Sequence, residues 1–398
     1  MKIGIFLPDV SSEAGGASSL LRTIKKEIKS SCDEENEYIF LYYGGQDDAL
    51  ILEVNGFKYL NLNYYKNHVL LGKRIKNKIK RKLGIATSVS FSKFDAAAKD
   101  IGIDMFWFTM PGIYDCSYPY IYTVWDLGHR RNPFFPEVSR SGWMWECREQ
   151  TFRKMLYKAS YILTGNKEGK KEILENYPVP PQKIIISPFP VAEFCHNSER
   201  TPDFPLPEDF FFYPAQFWPH KNHIVILDAL VYLRDVYNMA PSVIFTGSDK
   251  GNRQYIESKV IEYNLSEQVL FTGLVDDEVM KYLYTHAVAM IFASLMGPNN
   301  MPPIEATYLN CPVIITSLDG HKEQLGDSAL YFDGHNSQEL AAHMKAVLSD
   351  GKMRNDLKAR QKPLIAEFGS INYFETVKKI IAHFSKIRRT WGVDYDHL

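Results

Sequence analysis

Short runs of apolar, β-branched or aromatic residues recur along the chain, separated by longer stretches in which apolar residues return every three or four positions. The runs suit strands buried on both faces, and the stretches suit amphipathic helices. Their alternation predicts βαβ units around parallel sheets, an α/β fold. In the first half the runs predict strands at Lys2–Leu7, Tyr38–Tyr43, Ile103–Phe108, Tyr120–Trp125, Tyr161–Thr164 and Lys183–Ser187. After the first of them, Leu20, Leu21, Ile24 and Ile28 give one apolar face to a helix from about Ala17 to Lys29.

Between Pro188 and Asp209 the pattern breaks. Pro190, Pro202, Pro205 and Pro207 stand there among polar residues, and their missing amide hydrogens and fixed φ disfavour regular structure. The pattern restarts at Phe210–Tyr213, runs into a helix after Lys221, and continues with strands at Val243–Thr246, Val269–Thr272, Ala289–Ala293 and Val313–Thr316. From Ser337 onward the spacing is mostly helical, and Phe374–Ile387 is long enough to reach back across to the first half. The expected organisation is a first unit over 1–195, a linker over 196–209, a second unit over 210–372 and a returning C-terminal helix within 373–398.

A chain of 398 residues exceeds what one hydrophobic core usually serves, which agrees with two units. With 45% hydrophobic and 23% charged residues it has the mix of an ordinary globular protein. A formal net charge of -1 gives no global attraction to nucleic acid or to an anionic membrane. The opening apolar segment Ile3–Leu7 is too short for a signal sequence, and no uncharged apolar run approaches a membrane span, so a soluble or peripheral protein is expected. Cys32, Cys116, Cys147, Cys195 and Cys311 are scattered without metal-ligand spacing, which points to free thiols in a reducing cytoplasm and to no bound metal. One local charge cluster stands out. Lys73, Arg74, Lys76, Lys78, Lys80, Arg81 and Lys82 alternate with Leu70, Leu71, Ile75, Ile79 and Leu83 at helical spacing, so 70–84 is a candidate contact for anionic lipid, each charge contributing about 1 kcal/mol.

Candidate chemistry gathers where strands end. Gln216 to Asn222 lies between a strand end and a helix start, where Lys221 can neutralise a diphosphate as a point charge. Gly247, Ser248 and Lys250 follow the next strand in a small-residue turn that lets backbone approach a ligand. Further on, a loop of Gly297, Pro298, Asn299 and Asn300 leads through Met301, Pro302 and Pro303 into a helix that presents Glu305, a carboxylate suited to the two hydroxyls of a ribose. In the first half, Gly15–Gly16 follows the first strand, and Asp126, His129, Arg130 and Arg131 concentrate ionisable groups after another.

In this order and at these separations the pieces resemble glycosyltransferase family 4, whose fold is GT-B: two Rossmann-like domains with parallel sheets facing across a cleft. The likeness extends over nearly the whole chain. It implies that Lys221 grips the donor diphosphate, with Gln216 standing where the family has an arginine. Glu305 matches the second of two motif glutamates, and Gly297 stands where the first would be. Asn300–Met301–Pro302 takes the place of a Gly-Leu-Pro turn whose amides face phosphate, with Asn300 suited to a left-handed conformation. Val275, after Phe271–Gly273, borders the nucleobase, and Glu323 matches a Gly-Gly-x-x-Glu turn. Gly16 faces the donor phosphates or the acceptor. The family's His-Asp pair reads here as Trp125–Asp126, so His129 is the candidate to take the histidine's place in the cleft.

The resemblance implies a retaining hexosyl or deoxyhexosyl transfer from a GDP-, dTDP- or UDP-linked sugar to a glycan or polyprenyl-linked glycan acceptor. The setting would be bacterial O-antigen, capsule or other surface polysaccharide synthesis, at the inner face of the cytoplasmic membrane, with no nucleic acid partner. Lys221 and helix-terminal amides would stabilise the departing diphosphate, so no metal or other cofactor is required. Asp126 and His129 would position substrates, and Arg130, Arg131 or Lys250 would supply the cation that Gln216 lacks, with Glu323 near acceptor or phosphate. Two other readings fit the same motifs: a sugar-nucleotide epimerase of the same fold, and a catalytically silent nucleotide-binding scaffold.

Overall fold

The computed structural model describes residues 1–8, 15–31, 33, 35–45, 50–65, 92–140 and 144–392. The basic segment 70–84 lies outside the described residues. Strands β1 (Lys2–Phe6), β2 (Glu37–Tyr42), β3 (Ile51–Val54), β4 (Phe57–Asn61), β5 (Met105–Phe108), β6 (Tyr120–Thr123), β7 (Tyr161–Thr164) and β8 (Ile184–Ile186) form one sheet in the order β3-β4-β2-β1-β5-β6-β7-β8. Strands β9 (Phe210–Pro214), β10 (Ser242–Thr246), β11 (Val269–Gly273), β12 (Ala289–Phe292), β13 (Val313–Thr316) and β14 (Leu330–Phe332) form a second in the order β11-β10-β9-β12-β13-β14. Every pairing is parallel except β3 with β4. The central strands are buried at every position, as in Met105–Phe108 and Ala289–Phe292, because helices cover both faces.

In the first half the helices are α1 (Gly16–Ser31), α2 (Lys93–Ile101), α3 (Gly128–Arg131), α4 (Pro136–Ser139), α5 (Trp145–Lys158) and α6 (Lys167–Asn176). The second half has α7 (His223–Tyr237), α8 (Arg253–Glu262), α9 (Asp277–His286), α10 (Met301–Tyr308), α11 (Asp319–Leu325), α12 (Ser337–Ser349) and α13 (Gly351–Ser370). The last helix, α14 (Tyr373–Arg388), returns to the first half. Its Tyr373 and Phe374 stack on Trp107 of β5 at 6.1 and 6.3 Å between ring centroids, and Phe374 meets Tyr38 edge-on at 5.3 Å. Glu27 of α1 accepts the Phe374 amide at 3.1 Å, the hydroxyl of Tyr161 pairs with His383 at 2.6 Å, and Arg388 donates to Asp104 at 2.9 Å.

Two features were not expected from the sequence: the β3–β4 hairpin and β14. Ile51–Val54 are exposed throughout, so β3 carries no buried face to mark it, and β14 has three residues. Among the parallel strands the order reverses between β1 and β5 in the first sheet and between β9 and β12 in the second. Open parallel sheets bind ligands beyond the carboxyl ends of the strands at such points. The loops there in the second half are 215–222 after β9 and 293–300 after β12, and they meet the segment 124–137 that follows β6 in the first half.

Candidate functional site

The chain leaves β9 through a short 3-10 turn, Pro219–Lys221, and enters α7 through Asn222 in a left-handed conformation, φ 55°. The Tyr213 hydroxyl donates to the Lys221 carbonyl and pins the turn from beneath. The Lys221 ammonium lies 3.5 Å from Ser294 Oγ, 3.4 Å from Asn300 Oδ1 and 4.9 Å from the centre of the Phe292 ring. Among the described residues no carboxylate reaches it within ion-pair distance. Lys221 is half-buried as a whole residue, yet atoms crowd its ammonium, and burial pulls its pKa down to about 8 against the upward pull of Asp126 and Glu137. Its polar contacts are with neutral side chains, Ser294 and Asn300.

Asn300 precedes α10 with φ -130°, extended rather than left-handed as expected, because its amide donates to Gln324 Oε1 at 3.3 Å and its side chain reaches His321 Nε2 at 3.0 Å. The left-handed turn falls instead at Gly297, φ 109°. Pro302 and Pro303 have no amide hydrogen, so the start of α10 offers few backbone donors and more of the positive potential rests on Lys221. Behind it, Glu305 accepts the Tyr284 hydroxyl at 2.7 Å, and burial lifts its pKa to about 7. Gln216 sits against Gly15 of the opposite half, donates to Ser248 Oγ at 3.2 Å and accepts the Trp218 indole at 3.1 Å. Gly16 faces Met301. Gly247 extends β10 and donates to the Gly273 carbonyl at 2.9 Å, while Lys250 and Val275 are half-buried in the loops after β10 and β11.

From the first half, Asp126 accepts the Gly128 amide at 2.8 Å and lies 3.5 Å from Arg148. Its three neighbours point elsewhere. His129, expected in the cleft, is wholly buried behind it: the ring stacks on Phe152 at 5.4 Å, with Nε2 3.3 Å from Glu149 and 3.4 Å from the Tyr177 hydroxyl. Burial lowers its pKa, and it acts inside the first domain. Arg130 is likewise bound to Glu149, at 2.7 Å through Nε, and packs over Trp145 and Tyr177. Arg131 faces Glu168, Glu172 and Glu175 at 3.4, 3.6 and 2.7 Å. Neither arginine replaces the cation missing at Gln216. Glu323 does not face the cleft floor; its carboxylate accepts the Lys167 and Glu168 amides at 2.7 and 2.9 Å, capping α6 across the domain boundary.

One pair escapes the sequence pattern altogether. Glu137 of α4, 5% exposed, reaches across the cleft to His220 and accepts both its backbone amide at 3.0 Å and its ring Nδ1 at 2.5 Å. The cluster of ionisable residues after β6 ends at Arg131, and Glu137 stands beyond it on a separate short helix. Close packing surrounds the pair. Asn166 donates to the Pro298 carbonyl at 2.5 Å, and a side chain at Gly128 or Gly165 would collide with Met296 or Asn299. The 294–300 loop is thus seated against the first half.

Residues 197–363 match the family model described as glycosyl transferases group 1. Among curated proteins, the chain is 27% identical over 193 residues to the O-antigen chain mannosyltransferase RfbU of Salmonella typhimurium, covering 48% of this chain. The chain spans about half the length of that relative, 51%. Among solved structures it is similar to sucrose-phosphate synthase from Thermosynechococcus elongatus, with TM-score 0.70 and 14% identity over 98% of this chain and 100% of that one. It is also similar to the Anabaena protein HepE in complex with UDP, with TM-score 0.63 and 12% identity over 97% and 100%. At these identities the solved structures establish the fold, which is GT-B: two parallel-sheet α/β units.

Proposed function

We propose that the chain is a retaining glycosyltransferase that moves a hexosyl or deoxyhexosyl unit, mannosyl by likeness to its relatives, from a nucleoside diphosphate sugar to a glycan or lipid-linked glycan acceptor in surface polysaccharide synthesis. On this reading residues 210–372 hold the donor, and 1–195 with the returning helix hold the acceptor. The supporting observation is Lys221: a desolvated ammonium without a carboxylate partner among the described residues, at the strand-order reversal of the second sheet and facing the first domain. A diphosphate there would recover the charge lost to burial, and the same contact would strengthen as the leaving group gains charge. Glu305 lies on the same helix whose start borders Lys221, and on this reading it receives the ribose hydroxyls.

Asp126 lies on the opposite wall, near enough to raise the Lys221 pKa, and serves to position substrate. The donor's base is guanine, thymine or uracil. The enzyme would work in the cytoplasm, with 70–84 the candidate contact to the membrane that carries a lipid-linked acceptor. The test is a melting-temperature panel of GDP-, dTDP- and UDP-sugars, because a ligand that binds only the folded state raises its stability. Transfer to an acceptor from the stabilising donor is then followed by mass spectrometry. Lys221→Ala should lower turnover by about 10²-fold or more, the scale of losing one oxyanion donor. A panel without any stabilising nucleotide, or unchanged turnover in that variant, would overturn the proposal.

A further inference from the structure

The Glu137–His220 pair joins the two domains next to the residue on which the proposed function rests. His220 is held on both sides of its peptide. Its amide donates to Glu137 Oε1 and its carbonyl accepts the Leu295 amide at 2.8 Å, so one residue ties α4 of the first half, the turn carrying Lys221 and the 294–300 loop together. The ring adds direction. Burial works to raise the Glu137 pKa, but hydrogen bonds from the His220 ring and from amides outweigh it and hold the carboxyl below its usual range. An ionised carboxylate only accepts, so His220 Nδ1 carries the proton it donates.

Among the described residues Glu137 Oε2 is buried without a hydrogen-bond partner, so the hold of this carboxylate is wholly on His220. Its charge still reaches Lys221 and favours the ammonium there. We propose that Glu137 is a positioning residue for the transfer reaction: on closure it seizes the amide and ring of His220, and thereby sets the turn from which Lys221 meets the diphosphate. This rests on the donor reading of Lys221 given above. Glu137 belongs to the acceptor half and His220 to the donor half, so Lys221 would be correctly set only when both halves meet.

Three variants and two readouts test it. Glu137→Ala should lower kcat about tenfold or more, the scale of losing a hydrogen bond to a charged group, while nucleotide affinity measured by calorimetry falls by clearly less than kcat. Glu137→Gln, which can still accept from both His220 groups, should restore most of kcat, and His220→Ala should reproduce the loss. The second readout needs no turnover: trace acetylation of Lys221 by acetic anhydride, quantified by mass spectrometry, should rise several-fold in Glu137→Ala as the turn loosens. Wild-type kcat with wild-type labelling in Glu137→Ala overturns the proposal, as does nucleotide affinity falling in step with kcat. If the wild-type protein transfers no sugar from any donor, the transferase reading fails, and the acetylation result alone decides the role of Glu137.

Discussion

Raising the pH from about 7 to about 9 should weaken nucleoside diphosphate binding by about tenfold, through Lys221 alone. The pKa of this lysine is pulled down to about 8 by burial, so the fraction carrying a charge falls from about nine in ten to about one in ten across that interval. The terminal phosphate, with a pKa of about 6, is about nine-tenths ionised at about pH 7 and gains only about a tenth of a charge by about pH 9, a small effect in the opposite direction. Stability runs the other way. A lysine whose folded pKa lies below its value of 10.5 in the unfolded chain costs stability while charged, and the cost is relieved as pH rises from about 8 toward 10.5. Affinity should therefore fall over a range in which this group makes the unliganded protein more stable. Calorimetric titration at a series of pH values measures the first effect and urea unfolding the second. In Lys221→Arg the guanidinium stays charged throughout, so the decline in affinity should vanish even if absolute affinity drops. A flat profile in the wild-type protein, or an equal decline in the arginine variant, would show that the ammonium does not hold the ligand.

Other substitutions probe the frame around the site. In Gly320→Ala the new methyl would be driven into the backbone carbonyl of Pro298, which cannot rotate aside, so urea unfolding should report a loss of about 1–3 kcal/mol. Phe374→Ala empties a fully buried position between α14 and the first sheet, with an expected cost of about 3–5 kcal/mol by the same assay; under about 1 kcal/mol would mean that the helix is not docked as described. Glu323→Gln weakens a carboxylate at the start of α6 and should cost about 0.3–1 kcal/mol with nucleotide affinity unchanged. A loss of nucleotide binding instead would place Glu323 on the ligand.

The strands buried on both faces were legible because burial leaves continuous apolar runs, as in Met105–Phe108 and Val313–Thr316. The β3–β4 hairpin lacks such a run, although Asn55–Gly56, with φ 52° and 76°, is the dipeptide expected of a tight hairpin turn and could have revealed it. At the site, Lys221 could be located because its neighbours in sequence, a strand end and a helix start, also fix its place in space. His129, Arg130 and Arg131 could not be assigned in that way. Their direction is set by Glu149, Glu168, Glu172 and Glu175, carboxylates far along the chain that draw these side chains into and over the first domain. Glu137 and His220 stand 83 positions apart and meet where the two halves face each other, a contact that local pattern does not encode.

The polypeptide passes between the halves twice, once through the segment after β8 and once between α13 and α14. Pro190, Val191, Glu193 and His196 of the first passage and Phe368, Gly369 and Ile371 of the second line one small cavity, so the two tethers run side by side. A pair of adjacent strings constrains a joint as two pins constrain a door: swinging about the line through them is easy, whereas sliding or corkscrewing is resisted. Two tethers at one place limit how far the halves can slip past each other, and so help to keep Glu137 opposite His220.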